Sequence, residues 1–351
     1  MASASPRPVD MRAVETRDGA LPKGAGWERL VADDRPVLFK GAATDWPLVQ
    51  AGLRSAREAA DSLVEAQSGD AVTVYRGSPS MGGRFSYNEA VDGFNFTGTR
   101  EPFALILEEI LAWGDKPDAP HLYIGSTDIG LFFPRLGAAN GLDLGAIHPM
   151  LTAHRGFGSI WIGNRTTATC HFDYSHNIAV CVAGHRRFSL FPPSEAANLY
   201  PGPLDPTPGG QVVSMVDFAA PDFARFPRFR EALSAAQVAD MEPGDVLVYP
   251  AMWWHHVEAL DAFNILINYW WNAAPDFIDS PQVTLLHALM SLRDRPESEK
   301  RAWAALFDYY VFGDAELPRA HLPAHAQGPL APIDDMIARR LRALIQRKLN
   351  R

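Results

Sequence analysis

The spacing of apolar and polar positions changes along the chain. Residues 36–39 form a short apolar run that predicts a strand, whereas residues 53–67 and 103–113 have the three- and four-residue spacing of helices. From about His121 onward, short β-type runs alternate with Gly, Pro and Asp. These runs are residues 122–124, 159–163, 177–182, 187–191, 246–249 and 264–271. Short strands separated by turn residues predict a mainly β fold, either a sandwich or a barrel.

Two later segments differ from these runs in composition and in the spacing of apolar residues. Residues 200–227 are rich in Pro and Gly and predict a long ordered loop over the mouth of the barrel. After Pro281 the apolar spacing becomes helical, and a third helix is predicted to begin near Pro332. Its apolar stripe consists of Ile333, Met336, Ile337, Leu341, Leu344, Ile345 and Leu349.

These patterns divide the chain into three predicted regions. Residues 1–118 form an N-terminal cap region packed on the barrel, residues 119–280 form the catalytic barrel, and residues 281–351 form a helical region. The stripe of the last helix must be buried, because an isolated helix of this length is marginal in water. It either docks on the barrel or pairs with a second subunit, and we favour a homodimer through the C-terminal helices.

Composition narrows the class of protein. With 351 residues and 47% hydrophobic residues the chain can bury a full core, so we expect one catalytic unit. The net charge of −9 argues against a nucleic-acid partner, which would need a cationic face. The start lacks the apolar core of a signal peptide, no stretch is long enough to span a membrane, and only two cysteines occur. We therefore expect a cytoplasmic protein that is not membrane-bound.

One pair of residues has the spacing of a metal site. Non-haem iron oxygenases hold Fe(II) with two histidines and one carboxylate, and residues i and i+2 of a strand point the same way. His171 and Asp173 have that spacing, but 11 histidines and 41 acidic residues in 351 give about one such pair by chance. A second pair exists at His256 and Glu258.

The context of the two pairs differs. His171 and Asp173 follow a polar, threonine-rich stretch and precede an apolar strand, so they are predicted to lie where a strand end meets an open mouth. The third ligand must come from another strand. His255 and His256 are both candidates, and only one of them can point inward because successive residues face opposite sides of a strand.

Four blocks together resemble the cupin-like JmjC hydroxylases, and among them the asparaginyl hydroxylase type. They are HFDYSHN at 171–177, GHRRFSLFPP at 184–193, EPGDVLVYPAMWWHHVE at 242–258 and NYW at 268–270, and they occur in the family's order. The resemblance covers roughly residues 30 to 275. It implies a double-stranded β-helix, or jelly roll, with an N-terminal cap and C-terminal helices. It also implies Fe(II) as the metal and 2-oxoglutarate as cosubstrate.

The resemblance assigns roles to individual residues. His171, Asp173 and His255 become the iron ligands, because the family's distal histidine stands five positions after a proline, here Pro250; His256 and Glu258 then face outward. By the same resemblance, two asparagines lie near the metal-chelating end of the cosubstrate and one tyrosine binds its distal carboxylate. These residues are Asn177, Asn268 and Tyr123.

Two positions depart from the family pattern. Arg186 stands where the related hydroxylase has a lysine for the distal carboxylate. Arginine stays charged and can bind a carboxylate with two hydrogen bonds. Arg186 also shares a strand face with Phe188, so its charge needs a partner, either a structural acid or a dicarboxylate. The family's threonine is replaced by Ala168, and strand alternation favours Thr169 as its substitute.

Activity and substrate are less constrained. The resemblance implies a dioxygenase that converts 2-oxoglutarate to succinate and CO2 while hydroxylating a protein side chain, an amino acid or a small metabolite. The alternatives are an N-demethylase of JmjC type and a non-catalytic cupin that binds a small molecule. The tryptophans at 253, 254, 270 and 271 include two candidate substrate contacts, Trp253 and Trp270.

Overall fold

The computed structural model describes residues 11–153 and 157–350, whose strands form two sheets. The six-stranded sheet has the spatial order β1 (Arg12–Ala13), β12 (Gln237–Met241), β11 (Arg186–Phe191), β14 (Trp254–Ala259), β9 (Thr167–Phe172) and β5 (Arg84–Phe85). The nine-stranded sheet has the order β2 (Glu15–Asp18), β3 (Val37–Lys40), β13 (Val246–Tyr249), β10 (His176–Ala183), β15 (Asn264–Trp271), β8 (Phe157–Gly163), β7 (His121–Asp128), β4 (Ala71–Gly77) and β6 (Phe96–Pro102). The predicted mainly β fold with helical additions is confirmed.

Alternation along the strands separates the interior of the jelly roll from its outer layers. On β10, Ile178 and Val180 belong to an outer cluster that includes helical residues, whereas Ala179 and Cys181 belong to an inner cluster with residues of β11. Because neighbouring residues of a strand face opposite sides, one strand that is apolar throughout supplies two cores. The site described below lies on the inner side of these strands.

Seven α-helices accompany the sheets in the described part of residues 1–273. They are α1 (Ala25–Ala32), α2 (Pro47–Arg54), α3 (Ala56–Ala66), α4 (Phe103–Trp113), α5 (Ile129–Phe132), α6 (Leu144–Ile147) and α7 (Phe229–Ala235). The stretch predicted as one helix at 53–67 is the end of α2 followed by α3. Ser55 separates the two helices, because its hydroxyl accepts a hydrogen bond from Glu58 N at 3.1 Å and caps α3.

The N-terminal region contributes strands as well as helices. β1 pairs with β12 in one sheet, and β3 pairs with β13 in the other. β4 extends the larger sheet by pairing with β7. Strands from the predicted cap region are therefore hydrogen-bonded to strands of the predicted barrel region.

The segment predicted as a long ordered loop covers the outer face of the smaller sheet. Between residues 200 and 227 the chain is irregular, yet Val216 is fully buried and Phe226 nearly so. They form a third apolar cluster with Phe191 and Trp254, which lie on β11 and β14. An earlier part of the same segment, at Gly209 and neighbouring residues, lines the cavities described below.

Residues 274–351 form a second compact unit that contains three α-helices in its described part. These are α8 (Pro281–Leu292), α9 (Glu297–Phe307) and α10 (Asp335–Leu349). The Asp334 carboxylate accepts from Ile337 N at 2.7 Å and caps α10. Many apolar side chains of this unit are exposed, including Met290, Phe312 and Met336. Across the described ranges, a helix with both the length and the apolar character needed to cross a bilayer is not found.

Candidate metal centre

Three potential ligands converge at the end of a strand pair. His255 at the start of β14 lies opposite His171 near the end of β9, and Asp173 follows directly after β9. One ligand atom from each side chain lies within 4.8 Å of the others. The two imidazole centroids are 4.3 Å apart, and His255 Nε2 is 3.7 Å from Asp173 Oδ2. This two-histidine, one-carboxylate set suits non-haem Fe(II).

Backbone carbonyls orient both imidazoles. Nδ1 of His171 donates to the carbonyl oxygen of Thr169 at 2.8 Å, and Nδ1 of His255 donates to that of Trp253 at 3.0 Å. Because a carbonyl only accepts, Nδ1 carries the proton in each ring and Nε2 keeps its lone pair for a metal. Burial lowers the pKa of His255, and the neighbouring His171 lowers it further. The neutral form that a metal requires is therefore favoured.

The carboxylate is also held in place. Trp270 Nε1 donates to Asp173 Oδ2 at 3.0 Å, and Met252 N donates to the Asp173 backbone oxygen at 2.8 Å. Trp270 lies on β15, in the sheet opposite the strand that leads to Asp173. An interaction across the two sheets thus orients a ligand that stands just beyond its own strand.

The competing pair at His256 and Glu258 does not form such a centre. The His256 ring stacks on Phe218 at 4.4 Å, and burial lowers its pKa to about 3. Glu258 lies opposite Arg187 on β11. Within residues 11–153 and 157–350, the group formed by His171, Asp173 and His255 is the one that has metal-ligand geometry. His256 does face away from it, as expected, but it is buried under the irregular segment rather than exposed to solvent.

Beside the ligands lies a chamber of about 310 Å³ that contains a buried arginine. Arg186 lines it together with Phe188, as the predicted strand alternation requires. Only 3% of Arg186 is exposed, and its Nε and Nη2 atoms have no hydrogen-bond partner among the described residues. Among the described residues that line the chamber, Asp173 is the single acid. In the described chain no acid is bonded to Arg186, so the structure does not support the alternative of a structural ion pair.

Three tyrosines line this chamber, namely Tyr123, Tyr174 and Tyr249. Burial raises the pKa of Tyr123 well above its usual range, with the Arg186 charge acting in the opposite direction. Burial also raises the pKa of Tyr249, whose ring centroid is 4.9 Å from that of His255. Both phenols are therefore neutral hydrogen-bond donors near neutral pH. Sequence reasoning missed Tyr249, although alternation along the predicted strand 246–249 gives it the same orientation as Leu247 in the inner cluster.

The two asparagines occupy different depths. Asn268 lines the chamber, whereas Asn177 is fully buried behind it and does not line it. Their side-chain amides are 2.8 Å apart, and Asn177 Nδ2 donates to Ser175 O at 3.0 Å. Asn177 is thus placed to orient Asn268.

Thr169 does not reach the chamber because the strand is irregular there. The pairing steps from His255–His171 to Val257–Ala168, so that Thr169 and Cys170 stand opposite the single residue His256. Such a bulge shifts the alternation by one residue. Ala168 lines the chamber, whereas the Thr169 hydroxyl donates to Phe85 O at 2.7 Å.

The two tryptophans predicted to contact substrate lie in different environments. Trp253 is buried in the inner apolar cluster and lines neither of the two adjoining cavities near the metal ligands, although its carbonyl orients His255. Trp270 lines the chamber, and its indole N–H is bonded to Asp173.

A family model described as a cupin-like domain matches residues 24–277, which is more than half of the chain. HSPB1-associated protein 1 of Homo sapiens is 34% identical over 149 residues, covering 41% of this chain and 30% of that protein. Lysine-specific demethylase 8 of Xenopus tropicalis is 31% identical over 113 residues, 32% of this chain and 24% of that protein.

A third relative is tRNA wybutosine-synthesizing protein 5 of Danio rerio. It is 31% identical over 105 residues, which cover 30% of this chain and 29% of that protein. The aligned part therefore spans less than a third of each of these three relatives.

Proposed function

The chain belongs to the cupin-like domain family of JmjC type, and from that premise we propose that it is an Fe(II)- and 2-oxoglutarate-dependent oxygenase that hydroxylates a small-molecule or peptide substrate. One observation carries the proposal. The chamber that contains two histidines and one carboxylate also contains a buried guanidinium without a bonded partner among the described residues. A dicarboxylate could chelate the metal at one end and bind Arg186 with the other. It would then complete the coordination of the metal and give the guanidinium a partner.

The donor set fits this metal and cosubstrate. His171, His255 and Asp173 would hold Fe(II), leaving positions for two oxygen atoms of 2-oxoglutarate and for O2. Iron and 2-oxoglutarate together supply the oxidising chemistry, in which the cosubstrate becomes succinate and CO2 and one oxygen atom is transferred to the substrate.

The protein contributes position and exclusion of water. Arg186 would pair with the distal carboxylate, and the neutral phenol of Tyr123 would donate a second hydrogen bond to it. Asn268 lines the chamber beside the ligands, and Trp270 keeps the Asp173 carboxylate oriented. Because the guanidinium is buried, its attraction for a carboxylate is screened less than at the surface.

Mass spectrometry of treated cell extract tests the proposal. The protein is incubated with Fe(II), 2-oxoglutarate and extract, and products that gain one oxygen atom are sought. We expect such a product with the wild type and none with Asp173→Ala. Absence of both succinate and product under these conditions would count against the proposal and favour the alternative of a non-catalytic cupin.

N-demethylation is the second candidate, and the similarity to a protein named as a lysine-specific demethylase favours it. It would use the same ligands and chamber, because hydroxylation of an N-methyl group releases formaldehyde. Formaldehyde release from a methylated peptide, rather than a stable hydroxylated product, would identify this activity.

We also propose that the protein is a homodimer formed through its C-terminal helices. Ile345 and Leu349 of α10 are each 51% exposed, and Met336 is 60% exposed. Exposed apolar side chains on one helix favour burial against a second copy.

A further inference from the structure

A second cavity of about 440 Å³ adjoins the chamber that contains Arg186. Tyr123, Trp161 and His171 line both, so a molecule in the second cavity would lie next to a metal ligand. The two cavities differ in charge. The chamber contains Arg186 and Asp173, whereas no Lys, Arg, Asp or Glu is among the described residues that line the second cavity.

Aromatic rings form a continuous wall of this second cavity. The ring centroids of Tyr75 and Phe96 are 5.4 Å apart, and those of Phe96 and Phe85 are 5.2 Å apart. The series continues from Phe85 to Tyr123 at 5.4 Å and from Tyr123 to Trp161 at 5.9 Å. Rings that support one another in this way form a preformed apolar surface, which is the usual wall of a small-molecule site.

A glycine keeps space open in front of the wall. A Cβ atom at Gly125 would lie 3.4 Å from the Trp161 ring and 3.5 Å from the rings of Tyr123 and Tyr75. These are ordinary contact distances, so a methyl group would fit and a longer side chain would occupy the cavity. The absence of a side chain at this position therefore sets the available volume.

Two uncharged polar groups of this cavity have no partner in the described part of the chain. The Oε1 atom of Gln211 is buried and has no hydrogen-bond partner among the described residues, and the same is true of Trp161 Nε1. A buried polar group without a partner is costly, so a ligand that bonds to it gains both its own hydrogen bond and relief of that cost. A carboxamide and an indole N–H can complement hydroxyl, carbonyl or amide groups without any net charge.

We propose that this cavity binds the substrate through an uncharged aromatic or bulky aliphatic group that carries a neutral hydrogen-bonding function. A cationic group is disfavoured, because its charge would be removed from water with no carboxylate in the described wall to pair with it. An anionic group is disfavoured for the corresponding reason. The substrate role rests on the proposed oxygenase function, whereas the binding preference of the cavity does not.

Binding of matched small probes tests the preference. Benzyl alcohol and benzylammonium have the same ring and length but differ in charge. 3,3-Dimethylbutan-1-ol and choline form a second pair of equal shape. Affinities are measured by ligand-observed NMR on the full chain, with Zn(II) and 2-oxoglutarate and again without them. We expect the neutral member of each pair to bind about tenfold more tightly or better, since an unpaired buried charge is strongly disfavoured.

Two variants and one control assign the binding to this cavity. Gly125→Leu should fill the space and weaken benzyl alcohol binding by about tenfold or more, because the added atoms take the volume of the probe. Phe96→Ala, which removes one ring of the wall, should also weaken it. Gly145→Leu changes an exposed glycine of α6 that lines neither cavity and should leave probe affinity unchanged.

Two results would overturn the inference. One is equal or tighter binding of the cationic probes, which would identify a cage for alkylammonium groups. The other is neutral-probe binding that persists unchanged in both Gly125→Leu and Phe96→Ala. Binding of 2-oxoglutarate is measured in parallel: its absence alongside selective benzyl alcohol binding would contradict the oxygenase proposal while supporting the cavity preference.

Discussion

Trp270 donates its indole N–H to Oδ2 of Asp173 at 3.0 Å, so a residue of one sheet orients a candidate metal ligand that follows a strand of the other. Asp173 stands just after β9, where no strand neighbour fixes its side chain. Groups that orient metal ligands in this way contribute to metal affinity, because they fix the direction of the ligand atom.

Replacement of this indole tests its contribution. Trp270→Phe keeps a ring but removes the hydrogen bond, and we expect metal affinity to fall by about ten- to a hundredfold. Trp271→Phe is the matched control, because Trp271 Nε1 has no partner among the described residues. Titration calorimetry with Co(II) measures both variants. Equal affinities for Trp270→Phe and wild type would show that the Asp173 contact is incidental.

Arg186 gives a prediction about the cosubstrate. Arg186→Leu should weaken 2-oxoglutarate binding by about 1.5–3 kcal/mol, roughly ten- to a hundredfold, because a charge-assisted hydrogen bond is lost. Metal affinity should stay unchanged, and Arg186→Lys should recover part of the cosubstrate affinity. Arg187→Leu serves as the control, since Arg187 bonds to Asp240 and lines neither cavity. Unchanged 2-oxoglutarate affinity in Arg186→Leu would contradict the assignment of Arg186 to the distal carboxylate.

Glu258 gives a prediction about pH. Burial raises its pKa in the folded chain, against the opposing effect of Arg187, whereas the unfolded chain has the ordinary value of 4.5. Between 4.5 and the folded value the folded state binds more protons, so this group's contribution to stability falls as pH rises through that window.

Glu258→Gln cannot ionise, so its free energy of unfolding relative to wild type should increase from acidic to neutral pH. Urea unfolding at several pH values measures the difference, and Glu89→Gln, at an exposed position, is the control. A difference that stays constant would show that the pKa of Glu258 is not shifted on folding, and one that shrinks with rising pH would show that Glu258 is stabilised as a carboxylate.

The C-terminal helices give a prediction about assembly. The double variant Ile345→Glu with Leu349→Glu should convert a dimer to a monomer, because two charges would be buried in the proposed interface. These positions are preferable to Leu341 and Leu344, which are already partly buried in the single chain. Arg347→Glu is the control for added acid on the same exposed helix. Light scattering that reports a monomer for the wild type at micromolar concentration would exclude the proposed dimer.

Strands rich in buried residues were predictable from the sequence. β13 and β15 have the predicted bounds, and β10 and β11 differ from them by only one residue at either end. The sequence placed His171 and His255 on strands, but it did not give the bounds of β9 and β14, since Thr167–Phe172 and Trp254–Ala259 are rich in threonine, histidine and tryptophan. Both are strands because they pair with each other, and that contact is not visible in local composition.

Prediction of the site residues from the sequence was also limited by contacts between strands. The ligand spacing could be read from His171 and Asp173, and the alternation that turns Arg186 inward could be read from β11. The bulge that turns Ala168 rather than Thr169 toward the chamber depends on the register against His256, which is a property of two strands. The bond between Trp270 and Asp173 joins residues distant in sequence, and periodicity carries no information about such contacts.

Release of labelled CO2 from 2-oxoglutarate labelled in its first carboxyl group tests the central claim most directly. The purified chain with Fe(II), O2 and cell extract should release the label, and Asp173→Ala and Arg186→Leu should lose most of this release. Failure of the wild type to release label, together with failure to bind 2-oxoglutarate in the presence of Co(II), would contradict the assignment of this chain as a 2-oxoglutarate-dependent oxygenase.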